Sequence, residues 1–316
     1  MIHWGINALN HGSSLAVFKN GEYTDGFTSA DDNITPDQFK LNLDHQGPPD
    51  RIFWYERPWV KKARQVYAGQ YKTAMDMSVL PSVNLKKWGL GYAPVTYTSH
   101  HASHAAAGYY TSPFNHCAVV VLDAIGEFEC ATIWNCVHGE MKKVWRRSYP
   151  HSLGLFYSAF TKMIGLTPIR DEYVLQQMAA LGDPTRFRNE VNNYFGTGLV
   201  NLAYNFHRGV GNWDIGGWSV EDQCNLAAAV QERFEIEVGG VMRKAKELTN
   251  ADCLVYMGGC AMNSQANKNE VERLFKYRWS LPNPGDPSSA IGAVLYHTKQ
   301  RVWRDWGPVK HIDIKV

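Results

Sequence analysis

Residues 2–26, IHWGINALNHGSSLAVFKNGEYTDG, carry the pattern that decides the fold. Ile2, Trp4 and Ile6 alternate with other residues, as one buried face of a strand requires. The polar NHGSS at 10–14 breaks the alternation and LAVF at 15–18 resumes it. Asn20-Gly21 is the pair that a tight primed hairpin turn prefers. The stretch therefore predicts strand, turn, strand, turn. The same plan returns at 117–145, CAVVVLDAIGEFECATIWNCVHGEMKKVW. It reads as a buried strand, a turn at 123–127, a second strand, a turn at His138-Gly139 and a third strand. This is an internal repeat of plan without sequence identity.

Helical segments follow each hairpin unit. HSLGLFYSAFTKMIG (151–165) has helical spacing and ends at a glycine. Residues 219–248 begin with Ser219 and Asp222 three later, a capping-box pattern, and run on amphipathically with a weak point at Gly239-Gly240. CLVYMGGCAMNSQANKNEVERLF (253–275) predicts a buried strand, a glycine turn and a helix. DPSSAIGAVLYHTKQ (286–300) predicts a capped helix entered from the turn PNPGD. The expected architecture is α/β, duplicated and two-lobed. Residues 1–110 would form the first lobe, and residues 111–316 a second lobe with nucleotide- or phosphate-binding elements. Ligands in such folds sit between the lobes, held by turn amides and helix starts.

The 316 residues are 45% apolar and 20% charged, which is ordinary for a globular chain. The longest clean apolar run, 117–122, is too short to span a bilayer. No export signal is visible at the start. Six cysteines without a CxxC pair point to a reducing cytoplasm and buried thiols. Net charge is +2, unevenly spread. Residues 51–92 hold eight Lys/Arg against Glu56 and Asp76, with eight aromatic residues interleaved. One reading is a solvated face whose aromatics feed the core; the other is a polyanion-binding surface. MKKVWRR (141–147) is a second basic patch.

SHHASHAAAGYYTSPF (99–114) places three histidines within five residues. His100 and His104 are four apart, so in a helix they share a face and can chelate one divalent ion. The alternative is a pair of hydrogen-bonded helix residues. His101 points elsewhere and is a candidate phosphate contact. Carboxylates would have to complete a metal site. Asp123, where a strand meets a turn, and Asp286, just before a helix, are candidates, as well as ordinary turn and cap residues. Gly258 and Gly259 let the backbone approach an anionic ligand closely. In NHGSS, His11 is a candidate base, and Ser13 and Ser14 are candidate phosphate donors.

Six stretches together resemble one family: HGSSLAVFKNGE, HHASHAAAGYYTSPF, VLDAIGE, PHSLGLFYSAFTKMIG, GGCAMNSQANK and GDPSSAIGAVLYH. In this order they are similar to the O-carbamoyltransferases of nodulation-factor, tobramycin and cephamycin biosynthesis. They resemble, more distantly, the metal-binding subunit that makes threonylcarbamoyl-adenosine in tRNA. The resemblance implies the actin/Hsp70/sugar-kinase (ASKHA) fold. It implies metal ligands at His100, His104, Asp123 and Asp286, a catalytic His11, and nucleotide or phosphate contacts at Gly258, Gly259 and Asn263. It implies carbamoyl phosphate as donor, used directly or through an ATP-derived carbamoyl-adenylate, and a divalent metal, iron first, with zinc or manganese also suited. RDEYVLQQMAALGDP (170–184) keeps only part of the family's GEGKVMGLAPYG-like stretch. The family continues into a YrdC-like activating domain absent from this sequence, so a separate YrdC-like protein is an expected partner unless carbamoyl phosphate serves directly. The acceptor is a hydroxyl. The segment 51–92 favours 5-hydroxymethylcytosine in DNA or a nucleotide, in keeping with a phage-encoded enzyme acting in a host cytoplasm and with no membrane partner. The alternatives are a small natural product or sugar, a threonylcarbamoyl-transferring tRNA enzyme, and a non-catalytic nucleotide-binding scaffold.

Overall fold

The computed structural model describes residues 1–9, 12–28, 35–211, 213 and 217–307. The first unit contains β1 (Ile2–Asn7), β2 (Ser14–Lys19), β3 (Glu22–Thr28), α1 (Pro36–Gln46), β4 (Arg51–Trp54), α2 (Pro58–Tyr67), α3 (Tyr71–Met75), α4 (Pro81–Lys87), β5 (Val95–Tyr97) and α5 (His100–Thr111). The second contains β6 (His116–Gly126), β7 (Glu129–Val137), β8 (Glu140–Ser148), α6 (Leu153–Met163), α7 (Glu172–Ala179), α8 (Arg188–Asn192), α9 (Val220–Thr249), β9 (Cys253–Met257), α10 (Ser264–Ala266), β10 (Tyr277–Trp279) and α11 (Ser289–Thr298).

The strands form two five-stranded sheets, ordered β3-β2-β1-β4-β5 and β10-β9-β6-β7-β8. Counted from the strand that opens each unit, both orders are third, second, first, fourth, fifth. In both, the first three strands pair antiparallel and the fourth and fifth join in parallel. The repeat of plan in the sequence is thus a repeat of topology. Asn20-Gly21 and His138-Gly139 turn with positive φ, as primed hairpin turns demand.

One turn differs from expectation. β6 does not stop at Asp123 but runs to Gly126, with its register to β7 broken between Leu122 and Gly126. The chain reverses at 127–128. Asp123 therefore stands in a bulged strand, where bulges commonly re-aim a side chain. Residues 259–271 also differ. Instead of one helix they form a 3-10 turn, the three-residue α10 and a π-helical turn. Asn263 takes an extended conformation and caps α10, which interrupts any longer helix. By contrast α9 runs unbroken through Gly239-Gly240, and its Ser219/Asp222 capping box forms.

Two cores flank the second sheet. One buries α6 and α9 against its outer face. The other joins its inner face to α5, α11 and the first sheet. All twelve residues of α5 are buried, because α5 lies between the second sheet and α11. Its alanines keep the layer thin. Gly292 of α11 completes the fit: a Cβ there would stand 1.8 Å from the Ser103 carbonyl oxygen, so the two helices touch backbone to backbone.

The segment 51–92 divides in two. Phe53, Trp54 and Tyr55 are buried and Trp88 stacks on Phe39 at 4.4 Å, while Trp59, Tyr67, Tyr71 and Tyr92 are exposed. Of its basic residues, Arg57 and Lys61 pair with Glu127 and Glu56, and Lys62 and Arg64 are buried. MKKVWRR belongs to β8, an edge strand, where charge also guards against edge pairing. The six cysteines are free, five of them buried. No helix among the described residues is long and apolar enough to cross a membrane.

Candidate metal centre

The first turn of α5, the bulge of β6 and the start of α11 meet at the carboxyl ends of the second sheet's central strands. His100 and His104 share one face of α5 because they are four residues apart. Their Nε2 atoms lie 3.1 Å from each other. Asp123 Oδ2 is 3.0 Å from His100 Nε2. Asp286 Oδ1 is 3.2 Å from His104 Nε2 and 3.3 Å from His100 Nε2. One ligand atom from each of the four residues lies within 4.8 Å of every other.

Both rings are fully buried, and among the described residues their Nδ1 atoms have no partner, so Nε2 is the atom each aims at the carboxylates. Burial pushes the His100 imidazole down, but the Asp286 and Asp123 carboxylates outweigh it and hold the pKa well above the usual value. Burial pushes the Asp123 carboxyl up, and the His100 hydrogen bond overrides this, bringing it down to about 2. Asp286 is held below the usual carboxylate range by His100 and His104 against the same burial. Two carboxylates largely shielded from water ask for positive charge between them. The separations of 3.0–3.3 Å match the roughly 3 Å between adjacent ligands of an ion bound at about 2.1 Å. Two imidazoles and two carboxylates suit iron, zinc or manganese. The residues fit a divalent metal.

The surroundings position the four. Gly259 N–H donates to Asp123 Oδ1 at 3.2 Å, which draws the glycine turn to the cluster. Gly258 has φ 93° and passes within contact of Leu122, where a Cβ would clash with the carbonyl oxygen at 2.2 Å. Ser152 Oγ–H donates to the Ala124 carbonyl, tying the bulge to the start of α6. The Tyr55 ring meets His100 edge-on at 5.5 Å. Asn7, buried at the end of β1, donates to the Gly12 carbonyl at 2.6 Å and to the Asp286 carbonyl at 3.0 Å. Asn7 thereby holds Gly12 against the Asp286 loop. Sequence inspection passed over Asn7, since an asparagine closing a strand ordinarily reads as turn chemistry.

The other candidates fall in different places. His11 lies outside the described residues. Ser13 and Ser14 are buried beside Gly12, and Ser14 Oγ has no partner. His101 is turned toward β7. One residue on from His100, it turns about 100° round the helix, is fully buried and bonds Thr132 Oγ1 on β7 at 3.0 Å. Burial and the charge on His100 depress its pKa well below the usual value. Asn263 is near the glycine turn, but its amide is engaged by Gln231 at 2.9 and 3.0 Å and by the Ala266 N–H.

A family model described as Carbamoyltransferase N-terminus matches residues 58–295. An uncharacterized protein of Synechocystis sp. is 32% identical over 225 residues, covering 64% of this chain and 36% of the relative. Nodulation protein NolNO of Sinorhizobium fredii is 26% identical over 211 residues, covering 64% of this chain and 31% of the relative. The matches thus span about a third of the curated relatives' length. Component A of the Acidaminococcus fermentans (R)-2-hydroxyglutaryl-CoA dehydratase superposes with a TM-score of 0.50 at 12% identity, covering 95% of this chain and 99% of that one. Full-length HypF, in its phosphate- and nucleotide-bound form, superposes with a TM-score of 0.50 at 11% identity, covering 94% and 55%. These similarities are of fold, and they agree with the ASKHA-type duplication of sheets described above.

Proposed function

The chain belongs to the carbamoyltransferase family, and from that premise we propose that it transfers a carbamoyl group from carbamoyl phosphate, directly or as carbamoyl-adenylate, to an acceptor hydroxyl. The observation that carries this reading is the convergence of His100, His104, Asp123 and Asp286 beside the glycine turn. A divalent ion held by these four supplies Lewis-acid polarisation of a carbamoyl or phosphoryl oxygen. The backbone around Gly258 and Gly259 receives the donor's anionic end, and Ser13 and Ser14 serve as hydroxyl donors to its phosphate. The acceptor oxygen attacks the carbamoyl carbon, its proton passes to His11, and the bond to the donor's phosphoryl oxygen breaks with that oxygen keeping the electron pair. Asn7 ties Gly12, the residue after His11 in sequence, to the Asp286 loop.

The test is product mass with carbamoyl phosphate and hydroxylated acceptors, with and without ATP. His11→Asn is expected to bind donor yet abolish transfer. Near wild-type turnover by that variant makes His11 a turn residue only, and absence of product from every acceptor favours a binding scaffold instead.

The acceptor reading is a hydroxymethylated base, in DNA or as a nucleotide. Its support is the exposed Trp59, Tyr67, Tyr71 and Tyr92 with the exposed Lys72, Lys86 and Lys87, a composition that stacks bases and neutralises phosphates. Transfer to hydroxymethylated DNA that falls steeply with salt is the expected result. Robust turnover of an oligosaccharide or aminoglycoside, with none on the modified base, overturns it.

A further inference from the structure

A second polar cluster lies along α2 and its N-cap, outside the metal centre. Arg57, Lys61 and Arg64 follow one another at four and three residues and share one side of the helix. Glu127 matches Arg57 and Glu56 matches Lys61. Arg64 has no such match. It is 6% exposed, and among the described residues it forms no ion pair. Among the described residues its side chain donates one hydrogen bond, from Nη1 to Gln70 Oε1 at 2.9 Å, and its buried Nε has no partner there. Glu56, the carboxylate whose field reaches it, is already held by Lys61 at 2.7 Å.

The polar groups around Arg64 are an amide, an imidazole and a phenol rather than a carboxylate. Gln70 Nε2 is 3.1 Å from His207 Nε2. The His207 ring meets Tyr149 edge-on at 5.7 Å. Tyr149 Oη accepts from Asn205 Nδ2 at 2.8 Å, leaving its own proton to donate. Tyr67 borders both Tyr149 and Phe128, with ring centroids 6.2 and 6.1 Å away. Phe128 stands two residues after Gly126, which backs His100. Burial and the Asp123 carboxylate push the Cys130 thiol up in pKa, while Arg64 pulls it down.

A buried guanidinium without a counter-charge is costly for a folded chain to keep. Its planar fork matches a carboxylate or phosphate. We propose that Arg64, with Gln70, His207 and Tyr149 around it, is an oxyanion subsite that takes a phosphate or carboxylate of the acceptor and thereby turns the acceptor's hydroxyl toward the metal centre. The acceptor role rests on the carbamoyl-transfer reading, whereas binding of the oxyanion does not.

The experiment titrates inorganic phosphate and acetate separately into the full chain by calorimetry, with thermal melts alongside. Wild type stripped of metal and His104→Ala both lack an occupied metal centre, so the share of uptake that substitution of Arg64 removes from them belongs to the second site. Both are expected to bind one of the two anions and to melt higher with it; the tighter anion identifies phosphate or carboxylate chemistry. Arg64→Gln and Arg64→Met are expected to weaken that binding roughly tenfold or more, the loss of one charge-assisted hydrogen bond. In anion-free buffer these variants are expected to melt no lower than wild type. A drop there assigns Arg64 a merely structural role and overturns the proposal, as does undiminished anion binding by the variants. Transfer assayed in parallel separates the two readings. Binding that depends on Arg64 without transfer by wild type removes the acceptor role and leaves the subsite. Transfer without such binding removes the subsite and leaves the activity.

Discussion

At the scale of single residues, neighbours in sequence have opposite duties. His100 and His104 aim Nε2 at two carboxylates, whereas His101 between them is packed against β7 and bonded to Thr132. The contrast can be measured. His104→Ala removes a ligand and is expected to lower metal affinity by about a hundredfold or more, since even residues behind the ligands are worth 10–100-fold. Thr132→Val strands a buried imidazole nitrogen and the Trp134 Nε1–H that shares the hydroxyl. It should cost about 1–3 kcal/mol of stability while elemental analysis finds the metal unchanged. Full metal content in His104→Ala, or loss of metal in Thr132→Val, reverses the assignment.

At the scale of elements, the centre depends on where α11 lies. Asp286 opens the turn that leads into α11, and α11 is seated on α5 through Gly292. Gly292→Ala forces a methyl against the Ser103 carbonyl. Overpacking of this kind typically costs about 1–3 kcal/mol, and the shift carries Asp286 away from His104. The expected result is a lower Tm together with weaker metal binding, although Gly292 touches no ligand. A variant with reduced Tm and unaltered metal affinity would show that the Asp286 loop is positioned independently of the helix. Asn7 is the other support of that loop, through its bond to the Asp286 carbonyl.

At the scale of the whole molecule, the four candidate ligands come from α5, β6 and the turn before α11, elements that line both sides of the inner core. An ion there stabilises the folded chain by mass action, by about 4 kcal/mol at a thousandfold excess over Kd. Chelation is therefore expected to lower the Tm of the wild type and to leave that of His104→Ala unmoved; equal shifts in both mean that the metal binds elsewhere. The thiols offer a second global measure. Burial pushes Cys130, Cys136 and Cys260 up in pKa, which disfavours the reactive thiolate. Alkylation of the native chain at neutral pH is expected to spare these three and to reach them on unfolding. Rapid native labelling of any of them contradicts the packing of the two cores.

Local chemistry settles whatever neighbours along the chain determine by themselves. Alternation in Ile2, Trp4 and Ile6, the Asn20-Gly21 and His138-Gly139 turns, the Ser219 capping box and the four-residue spacing of His100 and His104 were all legible in the sequence, because each depends on a few adjacent dihedrals and side chains. The recurrence of the hairpin plan revealed the duplication for the same reason. Longer reach belonged to the tertiary structure. The bulge that moved the turn past Asp123 arises from pairing with β7. The inward burial of His101 follows from the sheet packed against α5. Asn7's hold on the Asp286 loop joins residues 279 apart in the chain. The basic count of 51–92 could not distinguish Arg57 and Lys61, which are paired, from the buried and unmatched Arg64. Charge is a property of a residue, but compensation is a property of the space around it, and only the folded chain supplies that space.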